Sequence, residues 1–535
     1  MLEAIPVLSL ITWIPLAGAL VTMLLPLRNA RALRWVAGVF TAVPLILAAL
    51  LYAEYKPVIG GGSYEEAYTW LTVPLNRDAA EGIASLELAF DYLMGVDGLS
   101  LPLVLLTGIV SMMALLASVH IRKRWKTFYV LFLILQTGMY GVFLTRDVVW
   151  FFIFFELTLI PAFFLIGIWG LEGREKAANR FLVYNGVGSA LMLLAFLILV
   201  ATAGFTATPG AGGDMLRFSG SYDVLLANLT GSGPQTSLAS DPIFHLTDGM
   251  KWAAFVLLVI AFGIKLPMFP FHTWMLRVHA EAPPSIVMVH AGVLLKMGAY
   301  GLIRFAAQLF PDELRESATV LAVLGVTGIL YGAVLAVVQK EFRLLLAYSS
   351  VSHMGIVLLG VASRNDIGLT GAVFQAVSHG LIAALLFLIV GSLYERTGTT
   401  RIDELGGLAK SVPFMSGILL TAGLATLGLP MLSGFWGEFL SFLGLFESMK
   451  VLTVFGVLGV LLSAAYMLRG VLAITFGPQS TRYDGIKEAR FVEALPMVAL
   501  TALIVLLGVY PSLLTDPMQQ SFEPLVEAFK SGVGG

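Results

Sequence analysis

The chain has 535 residues, of which 58% are hydrophobic and only 12% are charged. Soluble domains carry about 25% charged residues, so this composition indicates an integral membrane protein. The formal net charge of −2 favours no class of partner. The sequence has no cysteine, which excludes disulfides, thiolate metal sites and cysteine-held iron–sulfur clusters on this chain. No glycine-rich nucleotide-binding pattern occurs in a strand-to-helix context, so any redox chemistry belongs to another subunit.

Apolar runs long enough to cross a bilayer follow one another along almost the whole chain. A spanning helix needs about 20 predominantly apolar residues. The segments that qualify are 4–26, 34–54, 98–119, 127–145, 148–170, 178–203, 250–276, 284–308, 317–338, 343–362, 368–394, 412–447, 451–476 and 492–514. They predict an all-α, polytopic membrane protein with about 14 transmembrane helices. The first run has no basic residue before it, which favours a retained helix over a cleaved signal peptide.

Two of these segments carry helix-breaking residues in their middle. Pro267 and Pro270 follow directly after Lys265, and the long segment 412–447 contains Gly428 and Pro430. Non-helical backbone is tolerated at membrane depth only where it is buried in protein or lines a wet cavity, and such breaks mark ion sites in transporters. We therefore predict one broken helix in each segment.

The two predicted breaks also indicate an internal repeat. Lys-Leu-Pro-Met-Phe, which starts at Lys265, recurs as Gly-Leu-Pro-Met-Leu, which starts at Gly428, at an offset of 163 residues. Paired units of inverted topology with breaks at matching places are typical of ion-coupled carriers, although a chance match of five residues is the alternative. We predict one membrane domain over 1–535, with N-terminal helices in 1–125, inverted five-helix repeats in 126–308 and 317–476, and a C-terminal helix and tail in 490–535.

The distribution of lysine and arginine predicts the orientation. The connections after odd-numbered helices hold 19 of the 32 basic residues, namely Arg28, Arg31, Arg34, Arg122, Lys123, Arg124, Lys126, Arg174, Lys176, Arg180, Arg277, Lys340, Arg343, Arg396, Arg401, Lys410, Arg482, Lys487 and Arg490. The positive-inside rule therefore places these connections in the cytoplasm and both termini outside. The long connections 56–95 and 204–249 fall on the outer face, and we interpret them as ordinary loops without chemistry.

Ionisable side chains occur at bilayer depth in several predicted helices. Each costs at least about 2.5–3.5 kcal/mol on insertion scales, so each is a functional hypothesis by default. The strongest candidates for a proton relay are Glu156, Lys265, Lys296, His353, His379 and Glu438. Desolvation disfavours the charged form of a buried lysine, so such a side chain can release and regain a proton. The structural alternative is that these groups pair only to fix helix packing.

The histidines fall into two groups. His353 and His379 lie in apolar helices, and each has a polar neighbour one turn earlier on the same face. Their near-neutral titration suits a relay, while satisfied core histidines are the alternative. His290, six residues before Lys296, is a possible further member. The remaining histidines lie at or near predicted helix ends, where structural roles are favoured: His120, His272 and His279. No close pair has the spacing of a metal site, so we predict no bound metal.

A series of motifs resembles a known family over nearly the whole chain. The motifs are GVDGLSLPLVLLT at 95–107, FFELTLIP at 154–161, KLPMFPFHTW at 265–274, HAEAP at 279–283, LLKMGAYG at 294–301, YSSVSHMG at 348–355 and LPMLSGFWGEF at 429–439. In this order they resemble the subunit M family of proton-pumping NADH:quinone oxidoreductase, respiratory complex I. The wider superfamily includes Mrp-type sodium/proton antiporter subunits and membrane subunits of energy-converting hydrogenases. Glu438 in the second broken helix resembles subunit M, because the related subunits L and N usually have lysine there.

The resemblance implies roles for the candidate residues. Glu156 matches the family's essential glutamate and pairs with Lys265 of the broken helix. Lys296 is the connecting lysine, followed by His353 and His379 on a central polar axis, and Glu438 is nearest the outer exit. One departure concerns the inner side: many relatives continue Leu-Pro-Asp-Ala after His-Thr-Trp, whereas this chain has Met-Leu-Arg-Val, with an arginine at 277 in place of an acidic residue. That departure concerns the route by which protons would enter from the cytoplasm, and not the relay residues.

The resemblance also implies the partners and the setting. It implies a subunit of the bacterial cytoplasmic membrane that packs between L-like and N-like antiporter subunits and binds no nucleic acid. FMN, iron–sulfur clusters and quinone are expected on other subunits, with no cofactor on this chain. Three functions stay open: a proton-translocating, non-redox subunit of NADH:quinone oxidoreductase, an Mrp-type Na⁺/H⁺ antiporter subunit, and a structural scaffold whose buried charges only hold partners together.

Overall fold

The computed structural model describes residues 5–26, 29–56, 64–76, 83–121, 123–210, 213–230, 246–478, 483 and 485–531. Helices form most of this part of the chain. The helices of the first half are α1 Val7–Leu24, α2 Ala30–Glu54, α3 Ser100–Ala117, α4 Trp125–Leu144, α5 Val148–Trp169, α6 Arg174–Ala203, α7 Tyr222–Leu229, α8 Asp248–Lys265, α9 Thr273–Glu281, α10 Pro284–Val289 and α11 Lys296–Gly301. Those of the second half are α12 Pro311–Val338, α13 Phe342–Ala362, α14 Asp366–Thr397, α15 Leu408–Ser411, α16 Pro413–Thr426, α17 Ser433–Ser448, α18 Lys450–Phe476, α19 Phe491–Val509 and α20 Ser512–Ser531.

The predicted helical membrane fold is confirmed. Within the described residues, 12 continuous helical segments are long and apolar enough to cross a membrane, and this chain is a multi-pass membrane protein. Two further predicted segments are occupied by interrupted helices, α8 with α9 and α16 with α17. The inverted relation between the two five-helix units stays a prediction, as does the orientation in the membrane. Three residues that entered the charge count, Arg28, Arg122 and Arg482, lie outside the described residues.

Both helix interruptions lie next to proline or glycine, the residues that most often end an α-helix. In the first, α8 ends at Lys265 and α9 begins at Thr273, with both prolines in the intervening turns. In the second, α16 ends at Thr426 and α17 begins at Ser433. Gly428 has a φ of +73° there, a left-handed conformation that glycine adopts without steric cost. The chain therefore exposes free helix ends and irregular backbone inside the bundle.

The segment Pro284–Ala307 is a single spanning helix with two wider turns. π-helical turns occupy His290–Leu294 and Leu302–Ala307, and α11 lies between them. A π turn inserts one residue into the helical ladder and occurs frequently at functional sites. Lys296, the first residue of α11, thus lies two residues after the end of one such turn.

The centre of the bundle is formed by helices that are wholly enclosed by protein. The most apolar stretches of Pro284–Ala307 and of α14 are 100% buried, and that of α13 is 89% buried. The corresponding stretch of α2 is only 28% buried, which leaves most of its surface for lipid or for other chains. Since His353 lies on α13 and His379 on α14, the predicted relay histidines lie in this enclosed centre.

The interpretation of the two long connections as ordinary loops was wrong. They contain β1 Tyr64–Asn76, β2 Ile83–Val96, β3 Phe205–Gly210 and β4 Gly213–Ser219, which form one sheet of order β1-β2-β4-β3, and also α7. β1 pairs antiparallel with β2, β3 pairs antiparallel with β4, and β2 joins β4 in parallel. We call the end of the bundle that carries this sheet the outer end, in line with the predicted orientation, and the opposite end the inner end.

The predicted C-terminal tail contains a further helix, α20. It lies at the outer end, where Gly98 donates its backbone N–H to Ser521 Oγ at 2.8 Å. A Cβ atom at Gly98 would overlap the carbonyl of Pro517, so the helix sits directly on the turn before α3. The hydroxyl of Tyr52 donates to the carbonyl of Leu513 near the start of α20. The tail is therefore packed against the spanning helices.

Candidate functional site

Lys265 ends α8 inside the protein. Only 1% of its surface is exposed, and its Nζ has no hydrogen-bond partner in the described part of the chain. The ammonium group lies 4.6 Å from the ring centre of Phe155 and 5.8 Å from that of Phe181. Aromatic faces attract a cation but compensate only part of the hydration it has lost. The side chain is thus poised to give up its proton or to find a new partner.

Glu156 follows Phe155 on α5 and is the acidic group whose charge acts on Lys265. The two side chains form no direct ion pair, because the distance from Nζ to the carboxylate exceeds 4.0 Å. Glu156 Oε1 is buried and has no hydrogen-bond partner among the described residues. The structure therefore places the predicted partners in neighbouring positions with the pair open.

His279 and His290 form a hydrogen-bonded pair that sequence reasoning missed. Nε2 of His279 lies 3.0 Å from Nδ1 of His290, and both rings are completely buried. The helix does end near His279, but its side chain points into the core instead of the interface. His290 packs against Trp274 and Phe181, and the latter also lies under the ammonium group of Lys265. A histidine pair in contact therefore lies within electrostatic reach of both lysines.

Lys296 connects the π turn to the second half of the molecule. Its Nζ donates to the carbonyl of Ala291 at 2.5 Å and lies 2.7 Å from Nδ1 of His379. The carbonyl belongs to the π-helical turn that precedes the lysine. With Lys296 as donor, Nδ1 of His379 is the acceptor and a proton lies on the line between the two nitrogens. This is a direct lysine–histidine contact with no water between them.

His379, which contacts Lys296 on one side, lies next to His353 on the other. Its Nε2 lies 3.2 Å from Ser350 Oγ, and the two imidazole rings are 5.5 Å apart. Nδ1 of His353 lies 3.0 Å from Nε2 of Gln375. Both histidines are buried and their helices, α13 and α14, are packed together.

Glu438 ends the line at the second helix break. Its Oε1 lies 3.4 Å from Nδ1 of His353, close enough for an ion pair but without the geometry of a hydrogen bond. Its other oxygen lies under Gly428, where a Cβ atom would come within 2.5 Å of it. The side chain is 5% exposed. The structure thus brings Lys296, His379, His353 and Glu438 into one series, in which Lys296 contacts His379 directly, the two histidine rings pack together without a hydrogen bond, and Glu438 lies beside His353. Glu156 and Lys265, by contrast, form no ion pair.

The remaining residues near the first break have no comparable partners. His272 is 2% exposed and stacks on Phe269 and Tyr331, and neither ring nitrogen has a hydrogen-bond partner in the described part of the chain. Arg277, at the position of the departure noted above, is exposed. The side chain of His120 lies outside the described residues.

A second charged cluster lines a cavity of about 320 Å³ at the outer end. Arg304 donates to Asp97 at 2.5 Å, and Arg146 donates to Asp223 at 2.6 Å. Burial opposes the charged form of Asp97, but the charges of Arg304 and Arg146 prevail and lower its pKa below the ordinary value. Arg304 also donates to Tyr300 and Gln308. Since each arginine is already engaged by a carboxylate, this cluster is a structural network at the ends of the helices.

The chain is similar in sequence to known membrane proteins. The family described as NADH:quinone oxidoreductase/Mrp antiporter, transmembrane, matches residues 145–463. This range includes Lys296, His379, His353 and Glu438. The chain belongs to this family. It is 36% identical over 532 residues to NADH-quinone oxidoreductase subunit M of Rhodobacter capsulatus, with 98% of each chain covered. It is 35% identical to NAD(P)H-quinone oxidoreductase chain 4 2 of Thermosynechococcus vestitus, with 96% of this chain and 90% of that one covered.

Solved structures agree with the family assignment. A chain of respiratory complex I from Thermus thermophilus with bound NADH matches with a TM-score of 0.80 and 29% identity, over 99% of this chain and 100% of that one. A chain of the Mrp complex from Dietzia matches with a TM-score of 0.76 over 97% of this chain and 98% of that one, and its 20% identity shows the fold alone. Both are multi-subunit membrane complexes. This chain is therefore homologous to a membrane subunit of NADH-quinone oxidoreductase, as its motifs predicted.

Proposed function

We propose that the chain is a proton-translocating, non-redox subunit of an NADH:quinone oxidoreductase. The observation that carries this proposal is the contact between Lys296 and His379, with Nζ and Nδ1 2.7 Å apart at the enclosed centre of the bundle. A buried lysine costs free energy, so its presence in an apolar helix favours a functional role. Its contact with a histidine, whose ordinary pKa is near neutral, suits proton exchange between the two. The homology to subunit M of such a complex supports the same assignment.

The relay has two parts joined at Lys296. In the first, a proton is exchanged between Glu156 and Lys265 across their open gap, and the His279–His290 pair lies within electrostatic reach of Lys265 and Lys296. In the second, the proton passes along the contacts Lys296, His379, His353 and Glu438. Each step moves one proton from a donor to an acceptor, so the chain of residues returns to its starting state once a proton has entered and another has left.

The Glu156–Lys265 pair is the element that would open or close in response to quinone reduction elsewhere in the complex. When the pair closes, the carboxylate holds the ammonium charge near α5, and when it opens, the electrostatic field at His290 changes. Quinone reduction elsewhere in the complex supplies the energy, and protons move from the cytoplasm to the outside. FMN, iron–sulfur clusters and quinone belong to other subunits, and L-like and N-like antiporter subunits are the proposed neighbours.

The test is proton transport by the complete complex, purified from its native membrane and reconstituted into vesicles. NADH-dependent quinone reduction and proton uptake are measured for wild type, Lys265→Ala and Lys296→Ala. We expect both variants to lose proton uptake. Lys410→Ala removes an exposed lysine at the inner end and serves as the matched control, with uptake unchanged.

Two outcomes would replace the proposal. If no redox subunits accompany the chain and transport follows a sodium gradient, the function is that of an Mrp-type antiporter subunit. If Lys265→Ala lowers the amount of assembled complex but leaves proton uptake per complex unchanged, the buried charges serve assembly only.

A further inference from the structure

The side-chain amide of Asn185 on α6 is buried with its oxygen atom unused. Its Nδ2 donates to the carbonyl of Phe181, one turn earlier on the same helix, at 2.9 Å. Its Oδ1 has no hydrogen-bond partner among the described residues, although the residue is only 2% exposed. Buried polar atoms in native proteins are nearly always hydrogen-bonded, because an unpaired one costs free energy. Asn185 therefore holds a free hydrogen-bond acceptor inside the bundle.

Asn185 lies at the level of Lys265. Phe181, Asn185 and Gly188 share one face of α6, because residues three and four apart on a helix are neighbours. The ring centre of Phe181 is 5.8 Å from Nζ of Lys265. A Cβ atom at Gly188 would lie 3.6 Å from Cβ of Ile264, which directly precedes Lys265. Since Asn185 stands between these two contacts, its side chain faces the end of α8 that carries the lysine.

The ammonium group of Lys265 lies between α5 and α6. It packs on one aromatic ring from each helix, Phe155 of α5 at 4.6 Å and Phe181 of α6. Phe155 is followed by Glu156, whose Oε1 is buried without a partner in the described part of the chain, and Phe181 is followed one turn later by Asn185. Nζ of Lys265 forms no hydrogen bond to any described residue. The lysine is thus held by neither helix, and each helix offers it an unused oxygen atom.

The lysine side chain can serve acceptors on both helices. It has a flexible four-carbon stem and three N–H donors, so rotation of its own bonds moves the ammonium group without a change in the backbone. Ser189, one turn beyond Asn185 on the same face, is 4% exposed, and its Oγ also lacks a partner within the described ranges. Glu156 from α5 and His290 from the helix Pro284–Ala307 are the titratable groups coupled to Lys265 by charge. The face of α6 that meets the lysine is therefore polar but uncharged.

We propose that Asn185 is a second acceptor for the ammonium group of Lys265 and positions it when the Glu156–Lys265 pair is open. In one position the carboxylate of Glu156 holds the ammonium group at α5, and in the other Oδ1 of Asn185 holds it at α6. An uncharged amide binds an ammonium group more weakly than a carboxylate does, so the lysine is held without being trapped. Asn185 itself neither gains nor loses a proton. This inference rests on the proposed function, in which Asn185 becomes a positioning residue of the open state.

A purely structural role for Asn185 predicts a different result. The bond from Nδ2 to the carbonyl of Phe181 would then be its only contribution. Removal of that bond would lower the dissociation temperature of the complex and leave proton uptake per assembled complex unchanged. In the proposed role, loss of Oδ1 slows uptake and moves its pH profile to lower pH, because the charged form of Lys265 loses one of its two acceptors.

The experiment measures proton uptake by the complete reconstituted complex over a range of pH. Asn185→Leu keeps the approximate shape of the side chain and removes both polar atoms, whereas Asn185→Thr retains an oxygen acceptor. Thr475→Val on α18 is the matched control, because Thr475 is 1% exposed and its Oγ1 donates to the carbonyl one turn earlier on its own helix, at 2.7 Å. The control thus removes the same kind of bond away from the lysines.

We expect Asn185→Leu to slow uptake about tenfold, the size of one hydrogen bond to a charged group, and to shift the pH profile to lower pH. Asn185→Thr should recover at least part of the rate, and Thr475→Val should leave both the rate and the profile unchanged.

The outcomes separate the role of Asn185 from the proposed function as a whole. Wild-type uptake and a wild-type pH profile in Asn185→Leu, combined with loss of uptake in Lys265→Ala, would overturn the role of Asn185 and leave the proposed function standing. Unchanged uptake in Lys265→Ala would overturn both. If Asn185→Leu fails to assemble, the contrast between Asn185→Ala and Asn185→Thr decides the question in the same way.

Discussion

Gly298→Ala tests how tightly the two lysine-bearing helices must pack. Gly298 lies two residues after Lys296. It faces the end of α8 at Leu266, the residue that follows Lys265. A Cβ atom built at Gly298 would lie 2.5 Å from the backbone nitrogen of Leu266 and 2.8 Å from the carbonyl oxygen of Phe262. These two atoms form the last hydrogen bond of α8, at 2.8 Å. The added methyl group would therefore press on backbone at the helix break.

The size of the effect follows from these distances. Ordinary van der Waals contacts of a Cβ atom begin at 3.4 Å, so the segments that carry Lys265 and Lys296 must separate by nearly 1 Å. Overpacking of this kind costs about 1–3 kcal/mol of stability. A displacement of about 1 Å at a reacting group can cost about 100-fold in rate. We therefore expect the rate of proton uptake to fall by at least about tenfold, with a modest loss of thermal stability.

The assay is proton uptake by the reconstituted complex, with thermal dissociation of the subunit measured in parallel. Gly186→Ala on α6 is the matched control, since a Cβ atom there has nothing within 4 Å. Alanine in that helix is expected to be neutral or stabilising by up to about 1 kcal/mol. Wild-type uptake and stability in Gly298→Ala would refute the claim that close packing of these helices sets the position of the lysines.

Two further predictions concern charged groups outside the relay. Asp97→Asn leaves the buried guanidinium of Arg304 without its carboxylate. We expect a loss of about 3–5 kcal/mol in stability, measured as a lower dissociation temperature of the subunit. Asp403→Asn, which breaks an exposed pair with Arg401, is the control and should leave that temperature unchanged. Burial raises the pKa of Asp147, which caps α5, from its ordinary value of 3.8 to about 7. The folded state therefore binds this proton more tightly than the unfolded state, and stability falls as the pH rises from about 4 to about 7. Asp147→Asn keeps the helix cap and should lack this loss, about 4 kcal/mol at most, so an equal pH dependence of wild type and variant would contradict the assignment.

The spanning segments and both helix breaks could be read from the sequence because bilayer physics leaves few alternatives. A run of about 20 apolar residues has to be helical in lipid, since its backbone groups have no other partners. Proline after Lys265 and glycine at 428 deny the helix its next turn, and the interruptions lie there. The same physics makes Lys265, Lys296, His353, His379 and Glu438 conspicuous. Nothing in the structure tests their assignment as relay residues, which stays a prediction.

Only the tertiary structure decided which of these groups touch. The contact of Lys296 with His379 depends on the π turn before the lysine and on the close approach of two helices, where a Cβ at Gly380 would meet the carbonyl of Gly292 at 2.7 Å. The His279–His290 pair joins two helices across a turn, so spacing along the chain did not reveal it. The strands of the outer sheet pair across segments far apart in sequence, and glycine-rich composition concealed them. Apolar patterning fixes where a membrane helix lies, but the rotation and spacing of the helices, which place one side chain against another, arise from packing of the whole bundle.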